Sequence, residues 1–268
     1  MCDRSLRVTV LGSATPFPRP GNACSGYLVE GGGVRVWVDA GSGTLAELQR
    51  HVALEDVDAV WVSHLHADHS ADLLPFFYAL LYAGLGTVLP VPLFGPVGIA
   101  DRLAGFLTNG PERSPVETAF DVRELCDGHV ARVGGLTLTS RAVEHGPPAF
   151  ALRVEDEDGR SLVYSGDCEP CPSLVELAGD CDLFVCEADG EIPGHHSAAQ
   201  AGRTAAEAGV GRLVLTHVGS AQAPAEAVAL ASGAYAGDIA HADPGLRFDV
   251  TRRSRIPGRT TTSPASSR

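Results

Sequence analysis

Ser63-His64-Leu65-His66-Ala67-Asp68-His69 is the stretch that decides the fold of this chain. It follows the apolar run Val57 to Val62, which is typical of a buried strand. His64 and His66 are two residues apart, so both side chains can face one ion from the same side of the chain. Asp68 and His69 come on the turn that follows and can address a second position. Because buried histidines need partners, so dense a group of potential ligands indicates a metal site.

The surrounding chain predicts a mixed α/β fold. Strand patterns come first in groups, at residues 7–11 and then at 26–30 and 34–38, which three glycines join into a hairpin. Helical patterns follow at residues 71–83 and 98–107. Further strands are expected at residues 136–143, 150–154, 162–164, 183–186, 213–215 and 246–250, and the later ones alternate with helices at 174–178, 198–208 and 225–231. This order suits two mixed sheets packed face to face with helices outside them.

Length and composition set broad limits. The chain has 268 residues, of which 44% are hydrophobic, enough for one large domain, which we place at residues 1–251. Residues 252–268 carry arginines among Thr, Ser and Pro, a composition typical of a disordered tail. The chain shows neither a membrane-span pattern nor a signal-peptide pattern, so we expect a cytoplasmic protein. The scattered cysteines suit reduced thiols, and we interpret Cys168 and Cys171 as two thiols that flank a turn.

The order His-x-His-x-Asp-His after a strand resembles the signature of the metallo-β-lactamase superfamily. The resemblance implies an α/β fold of four layers, an αββα sandwich. It also implies later ligands in a set order: a histidine, a bridging acid and a final histidine. The chain supplies candidates at the ends of three predicted strands, namely His145, Asp167 and His217.

The resemblance assigns seven ligands to two divalent metal ions. In this assignment one ion is held by His64, His66 and His145, the other is held by Asp68, His69 and His217, and Asp167 bridges the two. Zinc is the expected ion, and manganese suits the same ligands. Two ions held close together can activate a hydroxide near neutral pH and stabilise negative charge that develops on an ester oxygen.

Several segments resemble ribonuclease-Z-type members of the superfamily in particular. They are Gly12-Ser13-Ala14-Thr15-Pro16-Phe17-Pro18, Val38-Asp39-Ala40-Gly41, Glu144-His145-Gly146-Pro147 and Cys186-Glu187-Ala188 with the later His195-His196-Ser197. Asp39 would support the metal loops from behind. In such enzymes a glutamate orients a histidine that gives a proton to the leaving oxygen. We assign this pair to Glu187 and His196, with His195 as the neighbouring alternative, and count Asp68 with them as catalytic.

One departure from the transfer-RNA-processing members bears on the substrate. Those enzymes carry a long RNA-clamping arm between the third histidine and the bridging aspartate, whereas this chain has a short acidic turn there, Asp156-Glu157-Asp158-Gly159. The net charge is −13, whereas nucleic-acid-binding proteins usually present a basic field. We therefore expect a phosphodiesterase acting on a small molecule such as a cyclic nucleotide, with neither nucleic acid nor a membrane as partner.

Other interpretations stay open. The substrate could be RNA 3′ ends, with the arginine-rich tail in place of the clamping arm, or a lactone or thioester metabolite. A non-catalytic protein that keeps the metals for stability is disfavoured, because the full ligand set and the acid–base pair are present. A homodimer is also expected, since the resembling proteins are often dimers.

Overall fold

In a computed structural model, residues 5–88 and 90–252 are described, and they form two β-sheets and seven α-helices. The strands are β1 (Arg7–Ala14), β2 (Ala23–Cys24), β3 (Gly26–Gly31), β4 (Val34–Val38), β5 (Ala59–Trp61), β6 (Val91–Gly95), β7 (Phe120–Glu124), β8 (His129–Val133), β9 (Leu136–Val143), β10 (Ala149–Asp156), β11 (Ser161–Tyr164), β12 (Leu183–Ala188), β13 (Arg212–Val218), β14 (Asp238–His241) and β15 (Arg247–Asp249). The helices are α1 (Thr44–Leu48), α2 (Ala67–Ser70), α3 (Leu73–Tyr82), α4 (Ile99–Leu107), α5 (Pro172–Ala178), α6 (Ala198–Ala208) and α7 (Pro224–Ser232).

The first sheet comprises β1 to β7 and β15, and the second comprises β8 to β14. The first sheet has the order β15-β1-β3-β4-β5-β6-β7, with β2 beside β1, and the second has the order β14-β13-β12-β11-β10-β9-β8. Strands β4 to β7 pair in parallel, and so do β11 to β14. Each parallel run therefore collects the loops at the carboxyl ends of its strands along one edge of a sheet.

Three apolar clusters fill the spaces between four layers. One lies between the two sheets and includes Val38, Trp61, Leu152 and Val185, all buried. A second packs α1, α3 and α4 on the outer face of the first sheet, and a third packs α5, α6 and α7 on the second. The molecule is thus an αββα sandwich, which confirms the expected fold.

Polar contacts tie the two sheets together within this apolar interior. The Tyr27 hydroxyl shares a hydrogen bond of 2.5 Å with Thr216 Oγ1 on β13, and Trp61 Nε1 donates to Ser140 Oγ at 3.0 Å on β9. A polar group buried without a partner would cost free energy, so these bonds allow Tyr27 and Trp61 to fill the core. They also fix how the loop edges of the two sheets face each other.

Most predicted elements are present, with shifted ends. The hairpin of β3 and β4 and helix α6 agree with the expected residues, whereas the helix expected at 71–83 begins at Leu73, after the separate short helix α2. The predicted tail lies outside the described residues, apart from Arg252. Cys168 and Cys171 are free thiols. Among the described helices, none combines the length and apolar character needed to cross a membrane.

Candidate metal centre

Strand ends from both sheets deliver the candidate ligands to one place. His64 and His66 follow β5, and the short helix α2 carries Asp68 and His69. From the second sheet, His145 follows β9, Asp167 follows β11, and His217 lies near the end of β13. β9 and β11 are both antiparallel to β10, so their carboxyl ends lie at the same edge as that of β13.

Three ring nitrogens of the first predicted ligand group converge. His66 Nδ1 lies 3.0 Å from His64 Nε2 and 3.3 Å from His145 Nε2. Nitrogens bound to one tetrahedral zinc ion at about 2.0–2.1 Å stand roughly 3.3 Å apart, so the spacing suits a shared cation. His64 is buried, His145 is half-buried and His66 is exposed, so this group faces solvent on one side.

The second predicted group converges in the same way. His217 Nε2 lies 3.3 Å from Asp68 Oδ2, and His69 Nε2 lies 3.3 Å from His217 Nε2. Asp167 Oδ2 lies 3.3 Å from His69 Nε2 and 3.5 Å from His217 Nε2. All four of these side chains are buried.

Asp167 lies between the two groups. Its Oδ2 atom is also 3.8 Å from His64 Nε2, so one carboxylate reaches both sets of nitrogens. Its other oxygen, Oδ1, is buried and has no hydrogen-bond partner. An unpartnered buried carboxylate oxygen is costly, and a cation beside it would remove that cost. The residues present therefore fit two divalent ions with Asp167 between them.

Three of the histidines form hydrogen bonds through Nδ1, the ring nitrogen that faces away from the centre, and these bonds determine their tautomers. Asp39 Oδ2 accepts from Ser63 Oγ at 2.8 Å and from His69 Nδ1 at 2.7 Å. Since the Ser63 hydroxyl hydrogen is used in this way, its oxygen accepts from His64 Nδ1 at 3.1 Å. His145 Nδ1 donates to the Gly194 carbonyl at 2.8 Å. With an ion bound at the centre, Nδ1 of all three rings would keep its proton and Nε2 would supply its lone pair to the ion.

Burial and charge set the ionisation of the centre. Burial, together with the charge of His69, holds the pKa of His64 well below its ordinary value, so this ring is neutral. Burial favours the protonated form of Asp167, but the charges of His217 and His69 outweigh it and hold the pKa of this carboxyl well below its usual range. Asp167 is therefore an anionic group between the two sets of nitrogens.

Strained backbone is found at two points of the centre. Asp39 has φ 55° and His217 has φ 49°, in the left-handed region that side chains with a Cβ atom avoid. Such strain costs on the order of 1–3 kcal/mol and persists where the surrounding structure imposes it. Asp39 is held by four hydrogen bonds, from Ser63 N, Ser63 Oγ, His69 Nδ1 and Tyr164 Oη, at 2.7–2.8 Å.

The expected pairing of Glu187 with His196 is wrong by one residue. Glu187 Oε1 lies 3.0 Å from His195 Nδ1, and His195 Nδ1 is also 3.9 Å from Asp167 Oδ2. Burial opposes a charge on His195, but the hydrogen bond to Glu187 and the charges of Glu187 and Asp167 raise its pKa to about 9. His195, the neighbouring alternative, is therefore the histidine that faces the centre.

His196 faces the opposite way, into the protein. Its side chain is fully buried, Nδ1 donates to the Cys168 carbonyl at 2.6 Å, and Nε2 lies 3.2 Å from Thr204 Oγ1. Burial lowers the pKa of His196 to about 4, so the ring is neutral. With both nitrogens engaged in the interior, His196 has no free atom to protonate a leaving group.

A cleft of about 530 Å³ opens beside His195. It begins at Asp189, whose Oδ2 atom lies 3.9 Å from His195 Nδ1 and accepts from Thr15 Oγ1 at 3.4 Å. Its walls come from three loops and carry carboxylate, hydroxyl and amide groups, among them those of Glu226, Ser220 and Gln222. Sequence reasoning missed this cleft, because its lining comes from three distant stretches of chain.

Known proteins similar to this chain include hydrolases with two-sheet folds. The family model described as a beta-lactamase superfamily domain matches residues 10–218. The probable metallo-hydrolase YhfI of Bacillus subtilis is 30% identical over 234 residues, covering 80% of this chain and 87% of that protein. A ribonuclease Z of Mycolicibacterium paratuberculosis is 32% identical over 249 residues, covering 79% and 85%. The crystal structure of Bacillus subtilis YhfI matches with a TM-score of 0.81 and 27% identity, over 92% of this chain and 100% of that one.

Proposed function

Since this chain belongs to the metallo-β-lactamase superfamily and is a metal-dependent hydrolase of that fold, we propose that it hydrolyses a small phosphodiester, such as a cyclic nucleotide. The proposal is carried by one observation: His195, held by Glu187, stands 3.9 Å from the carboxylate that joins the two ligand groups. An ester of an alcohol needs a proton on its leaving oxygen, and this arrangement supplies a proton donor beside the centre.

The seven candidate ligands would hold two divalent ions, which we propose to be zinc. His64, His66 and His145 would hold one ion, Asp68, His69 and His217 the other, and Asp167 both. When bound, two such ions supply Lewis-acid chemistry and activate water. Nitrogen-rich sites with few carboxylates suit zinc, and manganese is the alternative that metal analysis distinguishes.

The protein's own residues do the positioning and the proton transfer. Glu187 accepts from Nδ1 of His195 and so orients the ring, leaving Nε2 to give its proton to the leaving oxygen. Asp68, counted as catalytic from the sequence, is one of the two carboxylates in the second ligand group. The exposed ring of His66 marks the side from which the substrate enters.

The cleft beside His195 supports a small substrate with a polar, uncharged leaving group. Two carboxylates, Asp189 and Glu226, line it, and they can accept hydrogen bonds from the hydroxyls or amines of a nucleoside. The segment between His145 and Asp167 is the simple hairpin of β10 and β11, which leaves no long arm to grip RNA. The net charge of −13 also disfavours a polyanion.

The test is hydrolysis by purified, metal-loaded protein. We expect turnover of bis(p-nitrophenyl) phosphate and of cyclic nucleotides, and His66→Ala and Asp167→Ala should abolish both. His195→Ala should slow the cyclic nucleotide by about 10²–10⁴-fold but the aryl ester much less, because p-nitrophenolate leaves without a proton. His51→Ala, at a half-buried histidine outside the centre, is the matched control. A protein that ignores every phosphodiester but opens a lactone or thioester would refute the substrate class.

RNA is the second candidate substrate, because a relative that covers most of this chain is named ribonuclease Z. The arginines of residues 252–268 would then have to replace the clamping arm. Deleting residues 253–268 should in that case weaken RNA binding steeply, and added salt should weaken it further in the full chain. Unchanged RNA cleavage after the deletion would exclude this role for the tail.

A further inference from the structure

The residue that follows Asp167 has both of its backbone groups held by side chains. The Cys168 N–H donates to Glu187 Oε1 at 3.0 Å, and the Cys168 carbonyl accepts from His196 Nδ1 at 2.6 Å. Glu187 lies on β12 and His196 lies just before Ser197, the N-cap of α6, so side chains from two different parts of the chain hold the two backbone groups of one residue. The same Glu187 oxygen also binds His195.

The contacts of His196 determine its tautomer. A carbonyl oxygen can only accept, so Nδ1 carries the hydrogen and Nε2 is left with a lone pair. Thr204 Oγ1, at 3.2 Å, therefore donates its hydroxyl hydrogen to Nε2. The result is a directed chain of two hydrogen bonds, from Thr204 on α6 through His196 to the backbone beside Asp167. Bonds in such a chain polarise and strengthen one another.

The side chains of the adjacent residues His195 and His196 thus point to opposite sides of the chain. His195 faces the metal centre and His196 faces the interior, at the point where the turn from Ile192 to His195 leads into α6. The segment ends at Ser197, which has an extended backbone and caps α6 by a reciprocal bond pair with Gln200. The start of α6 is therefore fixed, and with it the position of the His196 ring.

We propose that His196 and Thr204 are positioning residues, which hold the backbone at Cys168, the residue after Asp167, so that the Asp167 carboxylate reaches both metal positions. This inference rests on the proposed two-metal centre. Neither residue touches the centre, and both act through the Cys168 carbonyl. Residues that orient a ligand from behind typically change metal affinity about 10–100-fold when they are lost.

The backbone before Asp167 is tightly packed, so the contacts of Cys168, after Asp167, determine how far the carboxylate can move. Gly166 has φ 60°, and a Cβ atom there would lie 2.8 Å from the Phe150 carbonyl oxygen and 3.0 Å from Ser63 Cβ. The chain before Asp167 is therefore packed against its neighbours. The chain after it is held by the side-chain bonds to Cys168 and by the bond of 2.7 Å from the Glu169 N–H to the Glu144 carbonyl, so loss of the Cys168 bonds removes part of what fixes the carboxylate.

The test compares His196→Leu with His196→Asn in the full chain. Asparagine can place its amide N–H near the position of Nδ1 and keep the bond to the Cys168 carbonyl, whereas leucine fills similar space without a donor. We expect His196→Leu to bind metal ions about 10–100-fold more weakly, in competition with a chromogenic chelator, and to alter the visible spectrum of the cobalt-loaded protein. His196→Asn should stay within about threefold of the wild type.

Each outcome of this comparison either supports or overturns the inference. Folded His196→Leu protein with wild-type metal affinity and cobalt spectrum overturns the inference, as does an equal loss in both variants, which would indicate packing alone. If His196→Leu does not fold, Thr204→Val against Thr204→Ser decides: weaker metal binding in valine alone supports the inference, and equal binding overturns it. A wild-type protein that binds no metal ions overturns the proposed function itself, which separates the two failures.

Discussion

Replacing Asp39 by asparagine should weaken metal binding far more than it weakens the fold. Asp39 is fully buried, and its carboxylate accepts from Ser63, His69 and Tyr164. An asparagine can keep its oxygen toward the Ser63 N–H. Its amide NH₂ group then faces the three groups that donate to Asp39 Oδ2, namely Ser63 Oγ, His69 Nδ1 and Tyr164 Oη. The hydroxyls of Ser63 and Tyr164 can rotate and accept. His69 can accept only if its proton moves from Nδ1 to Nε2.

The tautomer change sets the magnitude. A hydrogen bond to a charged group contributes about 1.5–3 kcal/mol, so Asp39→Asn should lower the free energy of unfolding by about that much. A proton on His69 Nε2 occupies the lone pair that faces Asp167 and His217. Metal affinity at that position should therefore fall by at least the 10–100-fold typical of lost supporting residues.

The matched control is Tyr164→Phe. It removes one bond of 2.7 Å to Asp39 and should cost a similar 1.5–3 kcal/mol, but it leaves the His69 tautomer unchanged. Urea unfolding of both metal-free variants measures stability, and titration with zinc in a competing chelator measures affinity. If the two variants lose metal affinity equally, or if Asp39→Asn keeps wild-type affinity, the tautomer argument is refuted.

Two further predictions follow from the same centre. A Cβ atom on Gly41 would lie 2.0 Å from the Asp68 carbonyl oxygen, so Gly41→Ala should displace α2 and lower diesterase activity at least about tenfold. Gly86→Ala, where nothing lies within 4 Å, is its control and should keep activity. Each of the two metal ions, at about 100 times its Kd, should add about 2.7 kcal/mol of stability. Scanning calorimetry would show this as a rise in Tm of roughly 5–10 °C per ion, reversed by a chelator; an unchanged Tm would contradict the buried ligand set.

In the second sheet the central strands were predictable from sequence, and the edge strands were not. β9 to β13 are covered on both faces or pair on both sides, so their apolar runs are plain in the sequence. β8 and β14 are the edges of the second sheet, and their residues are largely half-buried or exposed, so neither shows a clear pattern. β6 was missed because Pro92 argues against a strand, although the strand pairs on both sides.

The candidate ligands converge as predicted because each stands at the end of a strand or, for Asp68 and His69, on the short helix that follows β5, where an error of one residue in the predicted element matters little. The proposed proton donor was different. Two adjacent histidines precede Ser197, and one of them faces the centre while the other faces the core. Sequence shows the pair and the helix that follows, but the choice of face depends on where Glu187 and Cys168 lie. Those positions come from β11 and β12, which pair in parallel.

The charge of the centre bears on which phosphate ester it suits. Four buried carboxylates, Asp39, Asp68, Asp167 and Glu187, would balance the four positive charges of two divalent ions. Protonated His195, hydrogen-bonded to Glu187, would add one positive charge. A phosphodiester carries one negative charge, which matches the one positive charge left on His195. A phosphate monoester near neutral pH carries up to two negative charges. Because the cleft beside His195 adds only the carboxylates Asp189 and Glu226 among its charged groups, a second negative charge on the substrate would meet repulsion there.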